Sequence, residues 1–304
     1  MPKPNEPIWF NVDKTETAND DTYQTIKTNK VENKMVEINL GTSPHKIMVC
    51  TPCHSDVSMH YCQAVLKFQM ACSKEGIQCS FTLLKSSLVT QGRNLCVAEF
   101  LNHKDHYDYL LFIDSDIDFN SKTIYKMIGA DKDIISCPYP MKTFDTDKMW
   151  KKIKETDKVQ TPDDILKAGH IFPIKMDKGN EMTMENGVIK VTHAPTGCML
   201  IKREVIEKMI KHHPELEIYQ PTVINGKEVK KDNMYNLFDT LHDVETKRYF
   251  GEDFGFCQRW TDMGGEVYIY AMDNITHVGD HQYCGRFFDL LEHAKPVDDS
   301  QKIK

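Results

Sequence analysis

The sequence predicts an α/β fold: one domain with a mostly parallel, Rossmann-like central sheet flanked by helices. Three observations lead there. From residue 45 onward, short apolar runs that suit strands alternate with segments whose apolar residues recur at helical spacing. The run Tyr109-Leu-Leu-Phe-Ile113 is apolar throughout, as a strand covered on both faces must be. The 304-residue chain is 40% hydrophobic and 27% charged, which suffices for one full-sized core and excludes disorder over most of its length.

Taken in order, residues 1–44 are polar, close on Gly41-Thr-Ser-Pro44, and suit a loose arm or a peripheral strand. His45 to Pro52 reads as a buried strand stopped by proline. Met59 to Glu75 places Tyr61, Val65, Phe68, Ala71 and Cys72 at helical spacing and stops at Gly76. Ile77 to Leu84 reads as a strand, Gly92 to Leu101 as a helix and Tyr107 to Ile113 as a third strand. Strand, helix, strand, helix, strand is the pattern of a parallel sheet. A short helix over Ser121 to Ile128, a strand over Asp133 to Cys137 and the break Pro138-Tyr-Pro140 follow.

Residues 141 to about 190 are rich in Lys, Asp and Met and read as a variable insertion, with a hairpin at Met182 to Val191 turning on Asn186-Gly187. Thr196 to Ile201 is a buried strand leading into a helix over Arg203 to Lys211. Residues 214–247 show no regular pattern. Gly251 to Trp260 suits a helix with Glu252 and Asp253 in its first turn, where the helix dipole favours negative charge. Glu266 to Tyr270 is a last strand, feeding a tail over 275–286, and 291–304 is a C-terminal tail. The expected division is an arm (1–44), a nucleotide-binding half (45–140), an acceptor-binding and catalytic half (141–290) and the tail.

Lys and Arg number 38 against 45 Asp and Glu, a formal net charge of −7. Nucleic acid is thereby disfavoured as a partner, since phosphate neutralisation needs a basic face. No apolar run approaches the roughly 20 residues that span a bilayer, so no membrane span is expected. The first 21 residues lack the basic and apolar regions of a secretion signal, and the expected location is cytoplasmic. Ten cysteines include one C-x-x-C pair, Cys50 and Cys53, without the second pair that a zinc tetrahedron requires. Free thiols in a reducing compartment are the expected state.

Chemistry concentrates where the apolar run ends, at Asp114-Ser-Asp116-Ile-Asp118. In open parallel sheets ligands bind beyond the carboxyl ends of the strands, so these carboxylates should face a crevice. Three of them at alternate positions repel one another unless a cation intervenes. Hard oxygen ligands of this kind suit Mg²⁺ or Mn²⁺, which bind one or two carboxylates together with substrate phosphates. A solvated turn rich in Asp is the plainer alternative.

Six segments in order, from about residue 45 to 286, make the sequence resemble the GT-A class of nucleotide-sugar-dependent glycosyltransferases. They are Thr51-Pro52, Arg93-Asn94, Asp114-Ser-Asp116, Thr196-Gly-Cys-Met-Leu-Ile-Lys202, Gly251-Glu-Asp253 and His277. The Glu-Asp and Phe-Cys segments are similar to those of large-virus and phage glycosyltransferases. The resemblance implies a GT-A fold in which Asp114 lies near the donor ribose or the metal, Asp116 is the main metal ligand and His277 completes the protein's share of the coordination. An imidazole ligand favours Mn²⁺ over Mg²⁺. His281 is a weaker candidate for the diphosphate. Asp253 is implied as general base, with Glu252 second, although both could simply cap their helix.

The same resemblance makes Arg93 a contact for donor phosphate or base, against the alternative of an exposed helix cation. Thr51 and Pro52 fall where a nucleobase is held. Gly197 and Cys198 could let backbone approach a sugar, or Gly197 could serve a turn. Tyr283, Gly285 and Arg286 could close over the donor, with Arg286 reaching phosphate. Trp260 reads as core. The implied reaction moves a hexosyl or pentosyl group from a nucleoside diphosphate, with UDP the expected nucleotide, to a hydroxyl of a glycan or related acceptor, with inversion. The alternatives are a haloacid-dehalogenase-like phosphatase with Asp114 as nucleophile and Asp116 as acid/base, and a sugar-binding module without turnover. The phosphatase pattern wants Thr or Val where this chain has Asp118, and it normally follows the first strand. A nucleotidyltransferase would need a Gly-rich phosphate loop, which Thr51-Pro-Cys-His54 is not.

Overall fold

The computed structural model describes residues 45–154, 161–176, 182–219, 222–224 and 227–292. The expected arm over 1–44 lies outside the described residues, as does the expected tail apart from its first two residues.

The first five elements follow the predicted alternation: β1 (Lys46–Cys53), α1 (Met59–Glu75), β2 (Gln78–Lys85), α2 (Val89–Asn102) and β3 (Tyr109–Ile113). Strand β1 pairs in parallel with both β2 and β3. Helix α1 begins at Ser58, whose hydroxyl accepts from the Tyr61 amide, and ends at Gly76 in the left-handed region at φ 70°. It turns Tyr61, Ala64, Phe68 and Cys72 inward. Helix α2 starts three residues before the predicted Gly92, because its first turn carries no apolar spacing and lacks a side-chain cap. Gly92 lies inside it for a steric reason: a Cβ there would sit 3.0 Å from Cβ of Pro52, so its bareness lets α2 approach the end of β1.

Then follow β4 (Ile117–Asp118), α3 (Ser121–Gly129) and β5 (Ile134–Ser136). The segment expected to be irregular holds two helices, α4 (Thr146–Lys154) and α5 (Pro162–Ala168), ahead of the hairpin β6 (Met184–Glu185) and β7 (Val188–Val191). The correction has a physical cause. Neither helix buries a residue, so neither shows the wide apolar stripe that betrays a core helix. The hairpin turns on Asn186 and Gly187 as predicted, both at positive φ (51° and 80°).

Next come β8 (Cys198–Lys202), α6 (Arg203–His212) and two hairpins in the stretch read as patternless: β9 (Thr222–Ile224) with β10 (Lys227–Val229), and β11 (Leu241–Asp243) with β12 (Arg248–Phe250). The chain then forms α7 (Glu252–Asp262), β13 (Val267–Tyr270), β14 (Ile275–Val278), β15 (Gln282–Gly285) and α8 (Phe288–Glu292).

Eight strands form the central sheet in the order β2-β1-β3-β8-β5-β13-β7-β6. Strands β2, β1, β3, β5 and β13 share one direction, while β8, wedged between β3 and β5, and β7 run against them. The sheet is thus mixed, with a parallel majority. Both its faces are covered: Met48, Leu110 and Phe112 join one buried cluster, and Ile47, Val49, Leu111 and Ile113 join another. Alternate side chains of a strand point to opposite faces, so this is why β3 is apolar at every position. Because β8 lies between β3 and β5, the two halves expected at 45–140 and 141–290 share one sheet. All ten cysteines carry free thiols, Cys50 buried and Cys53 half-buried on the same strand. Among the described residues no helix is long and apolar enough to cross a membrane.

Candidate active site

Strand β3 ends at Ile113, and the chain turns at once: the Ile117 amide donates to the Asp114 carbonyl at 3.1 Å. Backbone hydrogen bonds hold this turn from three directions. The Asp114 amide donates to the Gly197 carbonyl before β8, the Ser58 amide to the Ser115 carbonyl, and the Val278 amide to the Asp116 carbonyl. The last bond belongs to a three-stranded sheet, β15-β14-β4, which replaces the tail that the sequence suggested. In its register His277 pairs with Ile117 and Thr276 with Asp118. That pairing brings an imidazole more than 160 residues away in sequence to the acidic turn.

At Asp116 the carboxylate Oδ2 lies 2.6 Å from Lys142 Nζ and 3.4 Å from His277 Nε2. His277 Nδ1 faces the Pro140 carbonyl at 3.0 Å. A carbonyl only accepts, so Nδ1 donates, leaving Nε2 as the nitrogen turned to Asp116. Burial pushes the Asp116 carboxyl upward, but the hydrogen bond with His277 and the Lys142 ammonium outweigh it and hold the group below the usual carboxylate range. A role for His277 here is expected from the sequence; Lys142 belongs to none of the motifs.

Asp114 faces the other way, into the protein. Arg93, on α2 and only 2% exposed, donates from Nη2 to Asp114 Oδ2 at 3.1 Å, and its Nη1 lies 3.1 Å from Oδ1. The same guanidinium reaches Glu252 Oε1 from Nε at 3.4 Å and lies over the Phe112 ring, 5.2 Å from its centre. Burial works against the Arg93 charge, yet Asp114 and Glu252 hold its proton more firmly than in water. Arg93 is therefore not an exposed helix cation; it ties the end of β3 to the start of α7.

Glu252 and Asp253 occupy the first turn of α7. Asp253 Oδ1 accepts from the Phe254 amide at 2.7 Å, so it does serve the helix end, as the capping alternative supposed. Burial, and next the Glu252 carboxylate beside it, push the Asp253 pKa up to about 6. A carboxyl at that value can take a proton near neutral pH, the property a general base needs. Tyr139 packs among these groups. Its hydroxyl accepts from the Gly197 amide at 3.2 Å, its ring meets His277 edge-on at 5.0 Å, and burial together with the Asp114 charge raises its pKa well above the ordinary value. A Cβ on Gly197 would collide with the Tyr139 phenol, so that glycine makes room for a side chain; its φ is not positive.

The remaining candidates lie apart from these carboxylates in their contacts. Thr51 is fully buried and its hydroxyl bonds to Tyr61 at 2.6 Å; Pro52 is buried against α2. Arg286 donates to Asp289 at 2.7 Å and lies over the Phe288 ring. His281 and Tyr283 pack on Phe144, which follows Lys142 by two residues. Asp118 sits 3.9 Å from His60. Trp260 is buried and donates to the Glu266 carbonyl, as a core residue.

Asp114, Asp116, Glu252 and Asp253 thus gather four carboxylates against two cations, Arg93 and Lys142. Among the described residues no three His, Cys, Asp or Glu side chains stand close enough to hold a metal by themselves. Asp116 Oδ2 and His277 Nε2 do make a two-donor set, with the His277 ring fixed through its other nitrogen, and the local excess of negative charge favours a cation. This fits an ion such as Mn²⁺ or Mg²⁺ that takes its other ligands from substrate phosphates and water. The neighbouring Asp114 carboxylate is engaged by Arg93.

Compared with protein-family models and with curated proteins, the chain has no match. Solved structures similar to it include protein A197 from STIV, at 15% identity and a TM-score of 0.40 over 78% of this chain and 86% of that one. The catalytic domain of Drosophila beta1,4galactosyltransferase 7 in complex with xylobiose is similar at 15% identity and a TM-score of 0.35, over 83% of this chain and 81% of that one. A glycosyltransferase involved in the glycosylation of the major capsid of PBCV-1 is similar at 10% identity and a TM-score of 0.29, over 56% and 66% of the two chains. At scores this low the likeness carries no functional argument, and the activity has to be read from the site.

Proposed function

We propose that the protein is a metal-dependent glycosyltransferase of GT-A type, transferring a hexosyl or pentosyl group from a nucleoside diphosphate donor, UDP-linked, to a hydroxyl of a glycan or related acceptor with inversion. The observation that carries this reading is the gathering of Asp116, His277, Glu252 and Asp253 around the carboxyl end of β3, with one cation-binding pair and one carboxyl poised near neutrality. The motif order Thr51-Pro52, Arg93, Asp114-Ser-Asp116, Glu252-Asp253, His277 supports the same reading. In it the donor lies along residues 45–140, the acceptor is held by residues 141–290, and Thr51, Pro52 and Arg286 line the donor side.

When bound, the divalent ion supplies Lewis acidity that offsets charge on the departing diphosphate. Asp116 and His277 would hold that ion, and Arg93 keeps Asp114 and the start of α7 in fixed relation. Asp253 receives the acceptor hydroxyl's proton as the oxygen attacks the anomeric carbon from the face opposite the leaving group. Glu252, engaged by Arg93, lies beside Asp253, and its charge helps keep Asp253 basic. The phosphatase alternative asks Asp114 to attack in line, but this carboxylate is taken up by Arg93, which counts against it.

A thermal-shift panel tests the proposal. Stabilisation by a UDP-sugar only with Mn²⁺ supports it. Asp116→Ala should abolish that response, and Asp253→Asn should keep it while turnover falls by about 10²-fold or more. Indifference to nucleotides, together with a response to beryllofluoride, would favour the phosphatase instead.

A further inference from the structure

Lys142 belongs to no motif in the sequence, yet it makes the shortest ionic contact at the candidate metal pair, 2.6 Å to Asp116 Oδ2. Its position is built. The segment bearing it is tied at one end by the Met141 amide to the Ile171 carbonyl (2.7 Å) and at the other by the Asp145 amide to the Gly169 carbonyl (2.8 Å). Its stem passes Gly279 so closely that a Cβ there would lie 3.0 Å from Lys142 Cδ. Glycine at 279 leaves the lysine its path across the end of β14.

The ammonium answers a local need. His277 donates from Nδ1 to the Pro140 carbonyl and turns Nε2 toward Asp116 Oδ2, 3.4 Å away. The Asp116 carboxylate is a partly buried negative charge set between that imidazole and the Lys142 ammonium. Lys142 is the cation on Asp116 Oδ2 here, and that oxygen together with His277 Nε2 is what a divalent ion would take.

We propose that Lys142 is a built-in counter-ion that occupies Asp116 in the metal-free protein, competes with the divalent ion for it, and on displacement turns to the donor's diphosphate. The inference rests on the metal-dependent reading of the site above. It makes loading cooperative: metal alone must evict the ammonium, whereas metal arriving with a diphosphate gives the ammonium a new anionic partner.

The test is direct Mn²⁺ binding by the full chain at low ionic strength, followed through loss of the free-Mn²⁺ electron paramagnetic resonance signal. Without nucleotide, Lys142→Gln should bind Mn²⁺ about three- to ten-fold more tightly than the wild type, since one competing charge has gone. Lys142→Arg, which keeps the charge, should stay near wild-type affinity. With saturating UDP the advantage of the glutamine variant should shrink or reverse. Equal or weaker Mn²⁺ binding by Lys142→Gln, tighter binding by Lys142→Arg as well, or an advantage untouched by UDP would each overturn the proposal. Asp116→Asn separates the two levels: if it binds Mn²⁺ like the wild type, or if the wild type binds none, the metal-site reading falls and this inference with it. If Asp116→Asn loses binding while Lys142→Gln is unchanged, only the lysine's role is refuted.

Discussion

Glu252 and Asp253 are neighbours in one helical turn, and a single arginine separates their chemistry. Arg93 reaches Glu252, whereas Asp253 has a backbone amide and its neighbour's negative charge, which together with burial put its pKa at about 6. A base with that value must be deprotonated to act, so kcat/KM should rise with pH through an inflection near 6, and a profile flat from pH 5 to 8 would contradict the assignment. Stability should move the opposite way. The folded chain holds the Asp253 proton more tightly than an ordinary carboxyl of 3.8, so it binds more protons than the unfolded chain between about pH 4 and 6. Stability therefore falls as pH rises through that window and stays lower above it. Asp253→Asn should accordingly stabilise the protein by about 3 kcal/mol at pH 8 and leave it nearly unchanged at pH 4, measured by denaturant unfolding. At this scale the acidic pairs and His277 were legible, because their residue types and order carry the chemistry. Lys142 and the inward turn of Arg93 were not: each depends on a partner distant in sequence, and nothing beside it marks the pairing.

Among elements, position is set by what each strand end is pressed against. The turn after β3 is pinned by the start of β8 and by β14, and Tyr139 fills the space between. Gly197→Ala would drive a methyl into the Tyr139 ring, at an expected cost of about 1–3 kcal/mol in chemical denaturation and with weaker donor binding from the displaced turn. An unchanged midpoint would show that the ring has room to retreat. Strands β1 and β3 were readable as continuous buried apolar runs, and helices α1 and α3 as periodic buried faces. Helices α4 and α5 escaped because they bury none, although the Thr161-Pro162 start and Asp164 of α5 form a complete capping box that could have revealed it. Strands β14 and β15 escaped for another reason: four-residue strands with half-exposed polar faces give a weak alternation.

Over the whole molecule, a parallel majority of strands points its carboxyl ends at one edge, and the acidic groups collect there in a chain already carrying −7. Sequence alternation foretold the direction of β1, β2 and β3, but not the insertion of β8 against its neighbours, since a fully buried apolar run looks the same in either direction. That insertion puts Gly197 and Tyr139 beside Asp114, so residues from both halves of the chain build one site. We propose that this edge binds a divalent ion through Asp116 and His277 together with a nucleoside diphosphate. A crystal grown with Mn²⁺ and UDP, with diffraction recorded at the manganese absorption edge, tests it most directly. An anomalous peak is expected at bonding distance from Asp116 Oδ2 and His277 Nε2, beside the diphosphate, with the Lys142 ammonium moved off Asp116. Nucleotide bound without an anomalous peak there, or manganese bound elsewhere with Lys142 still on Asp116, would contradict it.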